Sequence, residues 1–151
     1  MSLQFQIDLL EIQYDAKILL AELMSVIKPV IYYKELINLQ RKLEKLIHEY
    51  KWRDEFVPIR DLIDQCVDEI HSPYHMNEYR REKLMNLQID ASICDIMKIY
   101  LIDVQNKTYN PKDYYTYILR LTLENIYPKL RDCDVDYLIE TYEGFFDNKT
   151  E

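Results

Sequence analysis

The stretch from residue 77 to residue 106 constrains the fold of this chain more than any other feature. From Leu84 onward its apolar residues form two adjacent stripes at helical spacing. The stripes are Met85, Ile89, Ile93, Ile96 and Tyr100, and Leu84, Leu87, Ala91 and Cys94. A helix that is apolar around most of its circumference has to be surrounded by protein. Charged residues interrupt the run before it reaches the roughly 18 continuous apolar residues of a membrane span. The sequence therefore predicts a central apolar helix in an all-α domain that does not enter a membrane.

The composition favours long helices joined by short connections. The chain has 151 residues but only one glycine and five prolines, so it offers few positions for tight hairpin turns, which need glycine at positive φ. With 48% apolar and 30% charged residues it has the balance of a folded globular domain. We expect a single domain over residues 1–151, folded as a bundle of five or six helices.

Two heptad-like stripes predict helices over residues 4–27 and 32–51. The first stripe is Phe5, Leu9, Ile12, Ala16, Leu19, Leu23 and Val26, and the second is Tyr32, Leu36, Leu39, Leu43, Leu46 and Tyr50. Pro29 lies between them. It marks either a turn that folds the two helices into an antiparallel hairpin or a kink in one long helix.

Three more helices are predicted around the central one. The third begins in the region of residues 54–58 and runs to about Ile70. The fifth follows the start signal Asn110-Pro111 and runs to about Tyr127. The last spans residues 134–145, with Gly144 placed where a helix can end at positive φ.

The charge is acidic overall and unevenly distributed. The formal net charge is −8, which argues against a protein that neutralises nucleic-acid phosphates. Residues 28–53 carry seven basic and three acidic side chains, whereas residues 54–72 carry one and six, and residues 131–151 carry two and seven. Either these helices neutralise one another as neighbours, or the acidic helices dock a basic protein.

The cysteines and the amino terminus predict a cytoplasmic location. Cys66, Cys94 and Cys133 are widely spaced, odd in number and placed in apolar helical registers, which is typical of buried thiols in a reducing compartment. The first residues lack the basic segment and apolar block of a signal peptide.

Fourteen tyrosines are the strongest compositional bias. Tyrosine is enriched at binding hot spots, and the adjacent Tyr114 and Tyr115 cannot both face the same core of a helical domain. At least one of them should lie at the surface. An AT-rich genome is an alternative source of the bias.

Arg41 and His48 are the one pair that suggests catalysis. They lie seven residues apart on one predicted helix face, and the pair resembles the R-x4-6-H signature of HEPN-type ribonucleases. That resemblance implies an all-helical ribonuclease acting at a dimer interface. Lys42 departs from the pattern, since that position usually holds Asn, Asp or His. In the heptad register both residues lie opposite the apolar stripe.

Two groups of residues could in principle bind a metal, but neither has the expected spacing. His71 and His75 are separated by Pro73, which breaks the helix that would align them. The carboxylates of Asp61, Asp64 and Asp68 lack a second facing acidic motif. We expect no metal and no cofactor.

The sequence therefore favours a non-enzymatic protein that docks or neutralises a basic protein partner, as immunity proteins and antitoxins do. The residues expected to bind the partner are Asp61, Asp64, Asp68, Glu69, Tyr114, Tyr115, Asp136, Glu140 and Glu143. One alternative is the ribonuclease with Arg41 and His48. The other is a self-associating structural protein whose first two heptad stripes pair between chains.

Overall fold

The computed structural model describes residues 2–25, 33–71, 77–126 and 130–147, and over these ranges the chain forms six α-helices and no strand. The helices are α1 (Leu3–Ser25), α2 (Tyr33–Tyr50), α3 (Val57–His71), α4 (Glu78–Gln105), α5 (Lys112–Ile126) and α6 (Asp132–Tyr142). Short 3-10 turns, Asp54–Phe56 and Glu143–Phe146, precede α3 and follow α6. The predicted all-α class is confirmed.

The two longest helices, α1 and α4, pack against each other in antiparallel orientation. At one end Gln105 donates a hydrogen bond to Gln4 (2.9 Å), and at the other Arg80 donates to the carbonyl of Met24 (3.2 Å). α4 is exposed over its first turns and becomes buried from Leu87 onward. α1 also packs against α2 and α3. The centre of the bundle is therefore the α1–α4 pair and not α4 alone.

α2 packs along α1 in antiparallel orientation. The Tyr50 hydroxyl donates to Asp8 (2.7 Å), and Lys42 donates to Asp15 (2.8 Å), which fixes the antiparallel orientation. This favours the predicted hairpin over the kinked helix, although Pro29 itself lies outside the described residues. The stripe of α2 is buried within the single chain. The self-associating alternative, in which this stripe pairs between chains, stays a prediction from sequence.

The buried side chains fall into two clusters on either side of the α1–α4 pair. One joins α1, α2 and α3 with Leu87 of α4, and the other joins α4, α5, α6 and the last 3-10 turn. α1 contributes to both, through residues such as Ile12 to the first and Ile7 to the second. Among the described residues, no helix has both the length and the apolar character needed to cross a membrane.

The helix ends show how a chain with one glycine terminates its helices. Asn77 caps α4, and its side chain accepts a hydrogen bond from the Arg80 backbone N–H (2.9 Å). Lys51 and Lys107, at φ 64° and 61°, take the left-handed conformation that glycine usually supplies after α2 and α4. Gly144 does not have positive φ, so its predicted role as a helix end was wrong. The chain instead continues as a 3-10 turn through that residue.

Candidate docking surface

α5 and α6 form an antiparallel pair that covers the second apolar cluster. Arg120 on α5 contacts Asp136 on α6 (2.8 Å), and Lys112 at the start of α5 contacts Asp147 beyond α6 (3.3 Å). The inward residues follow helical spacing. They are Tyr115, Leu119 and Leu123 on α5, and Val135 and Ile139 on α6. The opposite sides of both helices therefore face solvent.

The solvent side of this pair carries large apolar side chains. Tyr114, Tyr117 and Leu121 are 47%, 61% and 39% exposed, and their spacing of three and four residues places them in one stripe of α5. Tyr137 on α6 is 68% exposed. A set of aromatic side chains on one surface is typical of protein interaction sites. We define the α5–α6 face as Tyr114, Tyr117, Leu121, Asp136, Tyr137 and Glu140.

The charge of the α5–α6 face is negative. Asp136 and Glu140 are both exposed and lie one turn apart on α6. Because the helices are antiparallel, Glu140 is level with the turn of α5 that carries Tyr117. Arg120 is the nearby cation, and it already contacts Asp136 and, at 3.9 Å, Glu124. Glu143, also predicted to bind a partner, is half-buried at the start of the last 3-10 turn.

Tyr115 was expected at the docking surface, and the structure corrects this expectation. Its side chain is 0% exposed. Its hydroxyl donates to the carboxylate of Asp103 (2.8 Å) and accepts from the backbone N–H of Asn110 (2.9 Å). Burial raises the pKa of Tyr115. Tyr115 therefore stabilises the connection between α4 and α5. Of the two adjacent tyrosines, Tyr114 is the one exposed at the surface.

Buried aromatic packing accounts for part of the tyrosine bias. The ring of Tyr115 stacks on Phe146 (5.6 Å between centroids) and meets Tyr100 edge to face (4.9 Å). The Tyr100 hydroxyl donates to the carbonyl of Asp147 (2.6 Å). These contacts hold the last 3-10 turn against α4 and α5 and so position α6 for the α5–α6 face.

The α3 carboxylates differ in their exposure to solvent. Asp61, Asp64 and Asp68 are exposed and share one side of α3. Glu69 is less exposed, with 19% of its side chain accessible to solvent. Its carboxylate accepts two hydrogen bonds from the Arg80 guanidinium (2.7 and 3.1 Å). This two-point ion pair joins α3 to α4. Glu69 is therefore a structural residue rather than part of a docking surface.

The predicted partner-binding residues do not form one surface. α3 belongs to the cluster with α1 and α2, whereas α6 packs on α5 in the other cluster. The three exposed α3 carboxylates therefore lie apart from the tyrosines. Among the predicted partner-binding residues, which all lie in the described part of the chain, exposed carboxylates and an exposed tyrosine occur on packed neighbouring helices only at α5 and α6.

Arg41 and His48, the residues of the ribonuclease hypothesis, are both exposed on α2. They lie on the side opposite the buried stripe of that helix, as the heptad register predicts. The ribonuclease reading stays a prediction from sequence.

The thiols are arranged differently from the expectation of three buried cysteines. Cys66 and Cys94 are buried, but Cys133 is exposed near the start of α6. Burial raises the pKa of Cys66 to about 12. It also raises the pKa of Cys94, although Lys17 lies 3.7 Å from the sulfur and opposes this shift. Both buried thiols are therefore protonated at neutral pH, which is unsuited to a nucleophile.

Metal-ligand residues do not cluster in the part of the chain that the structure describes, where no group of three His, Cys, Asp or Glu side chains is placed to hold an ion. His71 is exposed at the end of α3, and His75 lies outside the described residues.

A groove between α1 and α2 is a feature that the sequence analysis missed. Its volume is about 400 Å³, its floor includes Leu19 and Leu39, and its rim carries Asp15, Glu22 and Glu35. Burial raises the pKa of the adjacent Tyr14, and the carboxylates of Asp95 and Asp15 raise it further. The sequence contains only part of the signal for this groove, because it does not show which charged positions face each other. The charged positions that flank the heptad stripes form their own rows, Glu11, Asp15 and Glu22 on α1 and Glu35 and Lys42 on α2.

No protein-family model matches the chain, and no curated protein or solved structure shows significant similarity to it.

Proposed function

We propose that this protein is a non-enzymatic binding protein that docks a basic protein partner through the α5–α6 face. The observation that carries the proposal is the exposure of Tyr117 (61%) and Tyr137 (68%) on the same helix pair that exposes the carboxylates of Asp136 and Glu140. Aromatic side chains that present both an apolar ring and a hydroxyl are the commonest anchors of protein interfaces. Carboxylates around them select a partner of opposite charge.

The structure of α5 gives this surface a rigid base. The helix is held from below by Tyr115, Leu119 and Leu123, all of which are 0% exposed. The stripe above them is therefore presented without a large conformational change, which lowers the entropic cost of binding. A protein of net charge −8 also attracts a basic partner from a distance and accelerates the encounter at low salt. Neutralisation of a basic toxin or nuclease, the role of immunity proteins and antitoxins, is the biological activity that fits such a surface.

The proposal is tested by affinity capture from a lysate of the native host at about 50 mM salt, where surface electrostatics are weakly screened. The wild-type protein is compared with Tyr117→Ser on the α5–α6 face and with Tyr79→Ser. Tyr79 is the matched control because it is 71% exposed and lies on α4, outside that face.

We expect the wild-type protein and Tyr79→Ser to retain the same basic protein. With that protein purified, Tyr117→Ser should bind about 30-fold more weakly, the loss of a hot-spot side chain worth about 2 kcal/mol. Retention of no partner at low salt would overturn the proposal. Equal retention by all three proteins would exclude the α5–α6 face as the docking site.

A further inference from the structure

The groove between α1 and α2 has one site where opposite charges face each other across it. Lys42 on α2 donates to Asp15 (2.8 Å) and lies 3.2 Å from Glu11, both on α1. Burial alone would lower the pKa of Lys42, and its hydrogen bonds to Asp15 and Glu11 raise it instead. An alkylammonium group lying between helix carboxylates is therefore the contact that this groove already makes within the chain.

One heptad further along, the same geometry brings like charges together. Glu22 is seven residues beyond Asp15 on α1, and Glu35 is seven residues before Lys42 on α2. Because the helices are antiparallel, this step of about 10 Å moves both residues in the same direction along the groove. Glu22 and Glu35 are consequently level with each other, as Asp15 and Lys42 are. Both line the groove, and no cation of the described residues pairs with either of them.

The floor next to these two carboxylates is apolar. Leu19 and Leu39 are buried beneath the groove, and Ile18 is half-buried along its side. A small volume of about 400 Å³ that is open to solvent accommodates a few side chains and not a folded element. The chemistry that fits is an aliphatic stem with a cationic end, which is the chemistry of lysine and arginine side chains.

We propose that the α1–α2 groove receives a basic segment of the partner protein, whose Lys or Arg side chain lies between Glu22 and Glu35 while a neighbouring aliphatic side chain packs on Leu39. The inference depends on the proposed function, since it names a second contact with the same basic partner. Charge complementarity selects the occupant. A second copy of this acidic chain would add negative charge to the rim and is disfavoured.

The test uses charge reversal in the groove with a control of equal charge. Glu35→Lys places a lysine where α2 would repeat the Asp15–Lys42 contact, now with Glu22. Glu44→Lys makes the same charge change on α2, but Glu44 is exposed on the opposite side of that helix. The probe is a fluorescein-labelled helical peptide of 16 residues that carries one arginine between two leucines, and binding is followed by anisotropy at about 50 mM salt.

We expect the peptide to bind the wild-type protein and Glu44→Lys with similar affinity, and Glu35→Lys about 10-fold or more weakly. We also expect Glu35→Lys to melt at a temperature higher by about 1–4 °C, because it replaces a like-charge pair with an ion pair. The two results together exclude misfolding as the cause of the lost binding.

Three outcomes would overturn the groove proposal. The wild-type protein could fail to bind the peptide, Glu44→Lys could weaken binding as much as Glu35→Lys does, or Glu35→Lys could keep full affinity. Failure of the groove alone is distinguishable from failure of the proposed function. If Glu35→Lys retains the natural basic partner while Tyr117→Ser loses it, the groove is excluded and the α5–α6 face stands.

Discussion

Tyr114 and Tyr115 are neighbours in the chain, and the structure gives them opposite roles that substitution can separate. In Tyr115→Phe the ring contacts with Tyr100 and Phe146 remain, but the hydroxyl that links Asp103 to the Asn110 backbone is lost. The neutral hydrogen bond contributes about 1 kcal/mol and the bond to the carboxylate about 1.5 kcal/mol. We therefore expect Tyr115→Phe to lower the unfolding free energy by about 2–3 kcal/mol. For a chain of this length, that loss lowers the melting temperature by roughly 5–10 °C.

The assay is urea unfolding followed by circular dichroism, with Tyr114→Phe as the control. Tyr114 is 47% exposed, so its hydroxyl should change the unfolding free energy by less than about 0.5 kcal/mol. Affinity for the partner should depend on the other tyrosine. Tyr114→Ser should weaken partner binding, whereas Tyr115→Phe should leave it unchanged. If Tyr115→Phe were as stable as the wild-type protein, the structural role assigned to its hydroxyl would be wrong.

Three further predictions concern helix ends, pH and thiols. Lys107→Gly should stabilise the protein by about 1 kcal/mol because glycine relieves the left-handed conformation, while Lys107→Ala should leave urea unfolding unchanged. The hydrogen bond to Asp8 raises the pKa of Tyr50 from 10.0 to about 12. The stabilisation that this raised pKa gives the folded protein is therefore complete below pH 10 and is lost as the pH rises to 12. Tyr50→Phe should flatten the alkaline pH dependence of stability over that interval, and an unchanged slope would contradict this. Cys133 should react rapidly with Ellman's reagent in the native protein, whereas Cys66 should react only on unfolding; two or more rapidly reacting thiols would contradict the burial pattern.

Local sequence patterns were sufficient to predict the helices. The heptad spacing of Leu36, Leu39, Leu43 and Leu46 identified the buried side of α2. These signals depend on residues within a turn or two of one another, which sequence displays directly. The Gly144 expectation failed because an exposed glycine with no neighbour near its missing side chain is equally compatible with a 3-10 turn.

Contacts between distant segments were not predictable in the same way. Glu69 looked like one more carboxylate of an acidic helix, and nothing in its local sequence indicates that Arg80 on the next helix pairs with it. The central position was assigned to α4 alone because its apolar stripes are conspicuous, but α1 contributes to both clusters as α4 does. Deciding which of Tyr114 and Tyr115 is buried requires knowing which side of α5 packs inward. The spacing of Tyr115, Leu119 and Leu123 contained that information.

The surface charge illustrates the same limit. Segment counts correctly located acidic residues on α3 and α6, but they could not show that the two helices belong to different clusters. The groove rim was missed because Glu22 and Glu35 lie on different helices and become neighbours only when α2 folds back along α1. The proximity of these two carboxylates is therefore a property of the tertiary structure.

The most direct test of the proposed function is the hydrogen–deuterium exchange footprint of the captured basic partner on this protein. The proposal predicts that exchange slows in α5 and α6, over Lys112–Ile126 and Asp132–Tyr142, with the strongest protection around Tyr117. Protection confined to α3, where Asp61, Asp64 and Asp68 are exposed, or no protection in α5 and α6 in a saturated complex, would contradict it.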